Sequence, residues 1–126
     1  MTRFDRDPSP HGPVVQGFTA RGFVVEGGVY KGLLLTPRRA EQWRPPALAA
    51  LAIADLAPLL SLDPPPEFLL LGTGAGMAFA PRALVTALDA QGIGIEAMDS
   101  RAAARAWGVL RGEGRWIVAA LLPLGD

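Results

Sequence analysis

The chain has 126 residues, half of them apolar, with 12 basic and 12 acidic side chains and no cysteine. That length suits one domain and hides roughly two-thirds of the unfolded surface, enough for a core without cross-links. The lack of cysteine excludes disulfides, thiolate metal sites and a thiol nucleophile, and zero net charge argues against a general nucleic-acid binder.

Residues 1–13, MTRFDRDPSPHGP, hold three prolines and no apolar targeting core. They are expected to form a disordered tail ahead of a single α/β domain over residues 14–126. His11, the only histidine, falls in that tail and is a poor catalytic or metal candidate, because either role needs a fixed frame. The longest apolar stretch, residues 47–62, is interrupted by Asp55 and Pro58 and is too short to span a bilayer. A soluble, cytoplasmic protein without direct membrane insertion is expected.

Residues 14–19, 22–26 and 29–36 read as β-strands. Gly27-Gly28 between the last two is a hairpin signal, since a type I′ turn needs positive φ at both central positions. Pro37 stops the second arm. Residues 38–46 read as a loop carrying Trp43. Residues 47–60 place Leu48, Leu51, Ala52, Leu56 and Leu59 at spacings of three and four, which predicts a helix, with Pro58 against its C-terminal half. Asp63 to Pro66 is rigid punctuation.

Glu67-Phe68-Leu69-Leu70-Leu71 reads as a strand covered on both faces. A glycine-rich loop, residues 72–80, leads into a helix that starts at Pro81 and stops near Gln91-Gly92. Residues 93–98 form the next strand. Asp99 or Ser100 caps a helix running to about Leu110, with Trp107 on its inner side. Residues 115–122 are a last buried strand, and Trp116 fits the core with Trp107. Alternating strands and helices imply parallel neighbours in the second half. The fold class is α/β, three-layered, with a mixed central sheet, an N-terminal β-hairpin and helices packed on the sheet.

Two turns could carry chemistry. Gly72-Thr73-Gly74-Ala75-Gly76 follows a buried strand and precedes a helix, where ligands of open α/β sheets bind. A dinucleotide fingerprint fails at Met77 or Phe79, and a phosphate loop fails for want of Gly-Lys-Ser/Thr. The run remains open to three readings: chain geometry alone, a small polar or anion site, or a nucleotide site. Asp99-Ser100-Arg101 follows the next strand. If the strands are neighbours, a carboxylate, a hydroxyl and a guanidinium face the glycine amides, and Arg101 can grip a carboxylate or phosphate. The alternative is a helix cap with Arg101 paired locally. No Ser/His/Asp set, metal site or cofactor is expected, and no catalytic residue is assigned. Trp43, flanked by Arg39 and Arg44, is a candidate protein contact, unless the indole folds back onto the hairpin.

The runs Leu69-Leu70-Leu71-Gly72-Thr73-Gly74, residues 92–103, Val109-Leu110, Glu113-Gly114-Arg115 and residues 119–123 resemble a small α/β family of unknown biochemical function. Gly28-x-Tyr30-x-Gly32 and Trp43 match it too. That family includes a mitochondrial assembly factor for respiratory complex I and an adipogenesis-associated protein. The resemblance implies a three-layer fold with a mixed sheet, no established catalysis and a role in protein assembly. It also implies a polar patch at Gly72, Thr73, Gly74, Asp99, Ser100 and Arg101. The chain departs from many relatives at Ala104, where they carry cysteine, and at Trp107-Gly108, where they often carry Tyr-Asn, so a thiol-dependent role does not transfer. The reading is a non-enzymatic interaction or assembly module with an unidentified protein partner. The alternative is an anion-binding protein or enzyme using the corner between the two turns.

Overall fold

The computed structural model describes residues 12–125, so most of the expected tail, with His11, lies outside the described residues. Strands β1 (Gly17–Thr19), β2 (Gly22–Val25) and β3 (Gly28–Tyr30) form a small antiparallel sheet in that order. Strands β4 (Leu33–Leu35), β5 (Ala40–Gln42), β6 (Phe68–Gly72), β7 (Gly94–Met98) and β8 (Val118–Leu121) form the central sheet, ordered β5-β4-β8-β6-β7. β6 runs parallel to β7 and β8, whereas β4 is antiparallel to β5 and β8, so the sheet is mixed.

Alternation along these strands builds two cores. Leu34, Leu69, Leu71, Val118 and Ala120 face one side, where they meet Leu84 and Leu88 of helix α2 (Arg82–Asp89). Leu33, Leu35, Leu70, Ala119 and Leu121 face the other side, against Trp107 of helix α3 (Ser100–Gly112) and Phe23 and Val25 of β2. The central sheet is the middle of three layers, and one outer layer combines α3 with the small sheet.

Four local expectations are corrected. The hairpin turn sits one residue early: Val25 pairs with Gly28, and the positive φ values are at Glu26 (50°) and Gly27 (85°). The run 29–36 is two strands in two sheets, because Lys31-Gly32 turns the chain from one layer into the next. There the Trp43 amide donates to the Gly32 carbonyl (3.0 Å), and a Cβ at Gly32 would lie 2.4 Å from the Trp43 oxygen. The supposed loop 38–46 contains β5. The single helix over 47–60 is three short pieces: 3₁₀ turns Leu48–Ala50 and Ile53–Leu56, then α1 (Ala57–Leu60). A carboxylate explains the break, since Asp55 accepts from the Ala52 amide (2.9 Å) and restarts the chain inside the apolar run.

Two other tryptophans divide. Trp107 is fully buried, and its indole donates to the carbonyl of Pro13 (2.8 Å), itself buried. Trp116 is half-buried rather than core; its indole donates to the Pro64 carbonyl (2.7 Å) and its ring lies under the Arg38 guanidinium. No helix among the described residues is long and apolar enough to cross a membrane.

Candidate functional site

The parallel register sets Gly72 beside Met98, so the turns leaving β6 and β7 meet at one rim of the central sheet. The Thr73 amide donates to the Met98 carbonyl (2.8 Å) and carries the ladder one residue further. The Ser100 amide donates to the Gly74 carbonyl (2.8 Å), and the Gly74 amide donates back to Ser100 Oγ (2.9 Å). Ser100 Oγ in turn donates to the Leu122 carbonyl (2.8 Å), while the Leu122 amide donates to the Gly72 carbonyl (2.9 Å). One fully buried hydroxyl thereby ties three chain segments.

Gly72 is glycine for want of space. A Cβ there would stand 2.7 Å from Ser100 Oγ and 2.8 Å from both Ser100 Cα and Leu121 Cδ2. Gly74 adopts φ +104°, which side chains disfavour, whereas a Cβ on Gly76 meets nothing within 4 Å. The Thr73 hydroxyl is turned onto its own loop. It lies 2.7 Å from the Gly76 carbonyl and 3.2 Å from that of Met98, and it accepts from the Ala78 amide (3.1 Å). Asp99 caps α3, Oδ2 accepting from the Ala102 amide (3.1 Å).

Five of the six expected corner residues are thus drawn together: Gly72, Thr73, Gly74, Asp99 and Ser100. The guanidinium of Arg101, on the exposed side of α3, instead lies 5.8 Å from the centroid of Phe18 in β1, a cation–π distance. Among the described residues no group of three His, Cys, Asp or Glu could hold a metal ion.

Beside this corner stand two apolar side chains that sequence reasoning missed. Phe79 is 85% exposed and Met77 58%, both in the glycine-rich loop. The signal was available: Phe79 is the only aromatic between Phe68 and Trp107 and belongs to no periodic element.

Of the two readings of Trp43, exposed contact or indole folded back, the structure shows a buried indole. It is 9% exposed, packs with Leu34 and Leu51, and donates from its indole nitrogen to the Asp55 carbonyl (3.2 Å). The reason is β5, whose alternation turns the residue after Gln42 inward. Its neighbours remain outside: Arg39 pairs with Glu41 (2.6 Å), and Arg44 is exposed without an ion pair among the described residues.

At the opposite end of β6, Glu67 receives both Nε (3.0 Å) and Nη2 (2.8 Å) of Arg115, plus the Trp116 amide (3.1 Å). Bonding to the guanidinium, then to that amide, holds its carboxyl below the usual glutamate range.

Known proteins resemble the chain along nearly its whole length. Residues 15–122 match a family described as a protein of unknown function (DUF498/DUF598). An uncharacterized protein of Rhodobacter capsulatus is 36% identical over 121 residues, covering 94% of this chain and 92% of that protein. NADH dehydrogenase (ubiquinone) 1 alpha subcomplex assembly factor 3 of Danio rerio is 29% identical over 113 residues, covering 89% of this chain but 65% of that longer protein. The solution structure of a Bordetella pertussis protein, described as a Mth938-like domain, superposes with a TM-score of 0.78 at 28% identity, covering 99% of this chain and 94% of that one.

Proposed function

This chain belongs to the DUF498/DUF598 family, and from that premise we propose that it is a non-enzymatic interaction module that helps assemble another protein complex, a respiratory one first of all. The observation that carries the reading is Phe79, a large aromatic side chain 85% exposed on a rim whose polar groups are turned inward. A large exposed aromatic of this kind is a common anchor of a protein contact. The likeness to assembly factor 3 of Danio rerio supports assembly as the task. Arg39 and Arg44 are further contact candidates, and buried Trp43 acts by bracing the backbone that carries Arg44. A bacterial cytoplasm is the setting we assign, with the Rhodobacter capsulatus relative in support of the bacterial part.

The test is affinity purification from the native host with the parent chain and with Phe79→Ala. The variant should melt at the parent temperature and lose a partner that the parent retains. An unchanged set of co-purifying proteins would remove Phe79 from the proposal.

The meeting of two turns at one rim favours a second reading, an anion site at Gly72, Thr73, Gly74, Asp99, Ser100 and Arg101. On that reading phosphate raises the melting temperature of the parent and not that of Arg101→Ala. Equal melting curves with and without phosphate exclude it.

A further inference from the structure

Away from the corner, the edge of the small sheet faces the edge of the central sheet. β3 and β5 are both edge strands, and the Gln42 side chain bridges them, Nε2 donating to the Val29 carbonyl (3.0 Å). Two open basins lie along this seam. One, of about 430 Å³, is lined by Arg21, Val29 and Leu124 among others; the second, of about 590 Å³, by Trp43, Arg44 and Pro123. Lys31 and Gln42 line both, so the two make one continuous trough.

Its charge is one-sided. Arg21, Lys31 and Arg44 are all exposed, none has an ion pair among the described residues, and no described residue lining either basin is acidic. A chain with 12 basic and 12 acidic residues has no excess of cations to scatter. Another basin, at Arg38 and Arg39, has Asp63 in its wall and shows the ordinary mixed pattern. Between the cations the trough floor is apolar, with Val29 43% exposed, Leu124 half-buried and the edge of Trp43.

We infer that this trough takes an extended acidic segment of a partner protein. Three cations distributed over two joined basins match a chain of carboxylates better than one compact anion. An extended strand presents side chains alternately to opposite faces, so acidic residues can reach the cations while apolar ones meet Val29 and Trp43. Carboxylates against unpaired cations chiefly set the rate of encounter and the choice of partner. This rests on the interaction-module reading and names the chemistry of the partner.

The probe is a fluorescein-labelled ten-residue peptide alternating glutamate and valine, followed by fluorescence anisotropy on the full chain. The parent should bind it, bind a lysine–valine counterpart at least tenfold more weakly, and lose affinity as salt rises. Lys31→Glu, and separately the double variant Arg21→Glu/Arg44→Glu, should weaken binding at least tenfold with unchanged melting. Arg105→Glu makes the same change in net charge as Lys31→Glu but on α3, away from the trough, and should leave affinity within twofold. If a reversal disturbs the fold, Lys31→Gln replaces it and should weaken binding at least threefold.

No binding by a folded parent overturns the inference, as does equal weakening by Arg105→Glu. Displacement of the peptide by inorganic phosphate at equal molarity overturns it in favour of a small-anion site. Self-association of the parent that Lys31→Glu abolishes overturns it in favour of a second copy as occupant. A peptide that fails to bind, together with a partner lost in Phe79→Ala, ends the trough and spares the module reading; a bound peptide with no partner dependent on Phe79 keeps the trough and removes Phe79 as the anchor.

Discussion

The glycine-rich corner and the cationic trough use polar residues in opposite ways. At the corner, Thr73, Asp99 and Ser100 spend their hydrogen bonds on backbone: the Gly76 carbonyl, the Ala102 amide, the Gly74 amide and the Leu122 carbonyl. In the trough, Arg21, Lys31 and Arg44 have no ion pair among the described residues. A glycine run with nearby hydroxyls resembles a binding motif in sequence, yet the same residues are what a tight crossing of three segments requires. Three cations separated by 10 and 13 positions resemble nothing in sequence, and only the folding of two sheet edges against each other unites them.

That contrast can be broken by substitution. The largest effect is expected from Gly72→Ala, whose Cβ would press on Ser100 and Leu121 and destabilise the fold by about 3 kcal/mol in urea unfolding. Ser100→Ala leaves the Gly74 amide and the Leu122 carbonyl without their buried partner and should cost about 2 kcal/mol. Asp99→Ala removes one helix cap and should cost about 1 kcal/mol. Either of the first two behaving like a surface change would show that the corner is loose.

Smaller effects sharpen the boundary. Because the Glu67 carboxyl is held low in the folded chain, the stability it contributes is complete above the ordinary glutamate pKa. It is lost as pH falls through the lower folded value. Glu67→Gln should therefore differ from the parent at neutral pH and converge with it in acid, as thermal melts across pH would record. Gly76→Ala, with open space around the new methyl, should change stability by less than about 0.5 kcal/mol. Gly72 and Gly76, four residues apart, would then bracket the range from indispensable to free.

How legible each part was follows from the distance over which it is decided. The two-faced burial of Leu69, Leu70 and Leu71 and a helix cap at Asp99 or Ser100 were plain in the sequence, since alternation and capping act within a few residues; the structure assigns the cap to Asp99. The break at Asp55 was not, because a helical spacing of leucines also fits three short turns once a carboxylate captures the Ala52 amide. Nor was the burial of Trp43, which depends on β5 pairing with β4 and on Gly32 admitting its carbonyl. At the corner, strand order could be foreseen from the alternation of elements. The direction of Arg101 could not, because Phe18 belongs to the other sheet.

The most direct test of the closed corner is amide exchange and chemical shift, read by NMR on the free protein and during titration with phosphate. The account predicts slow exchange at Thr73, Gly74 and Ser100, whose amides already donate to Met98, Ser100 Oγ and Gly74, and no movement of these resonances as phosphate is added. Rapid exchange at Gly74 in the free protein, or a saturating shift of the Gly74 and Arg101 resonances with phosphate, would contradict it.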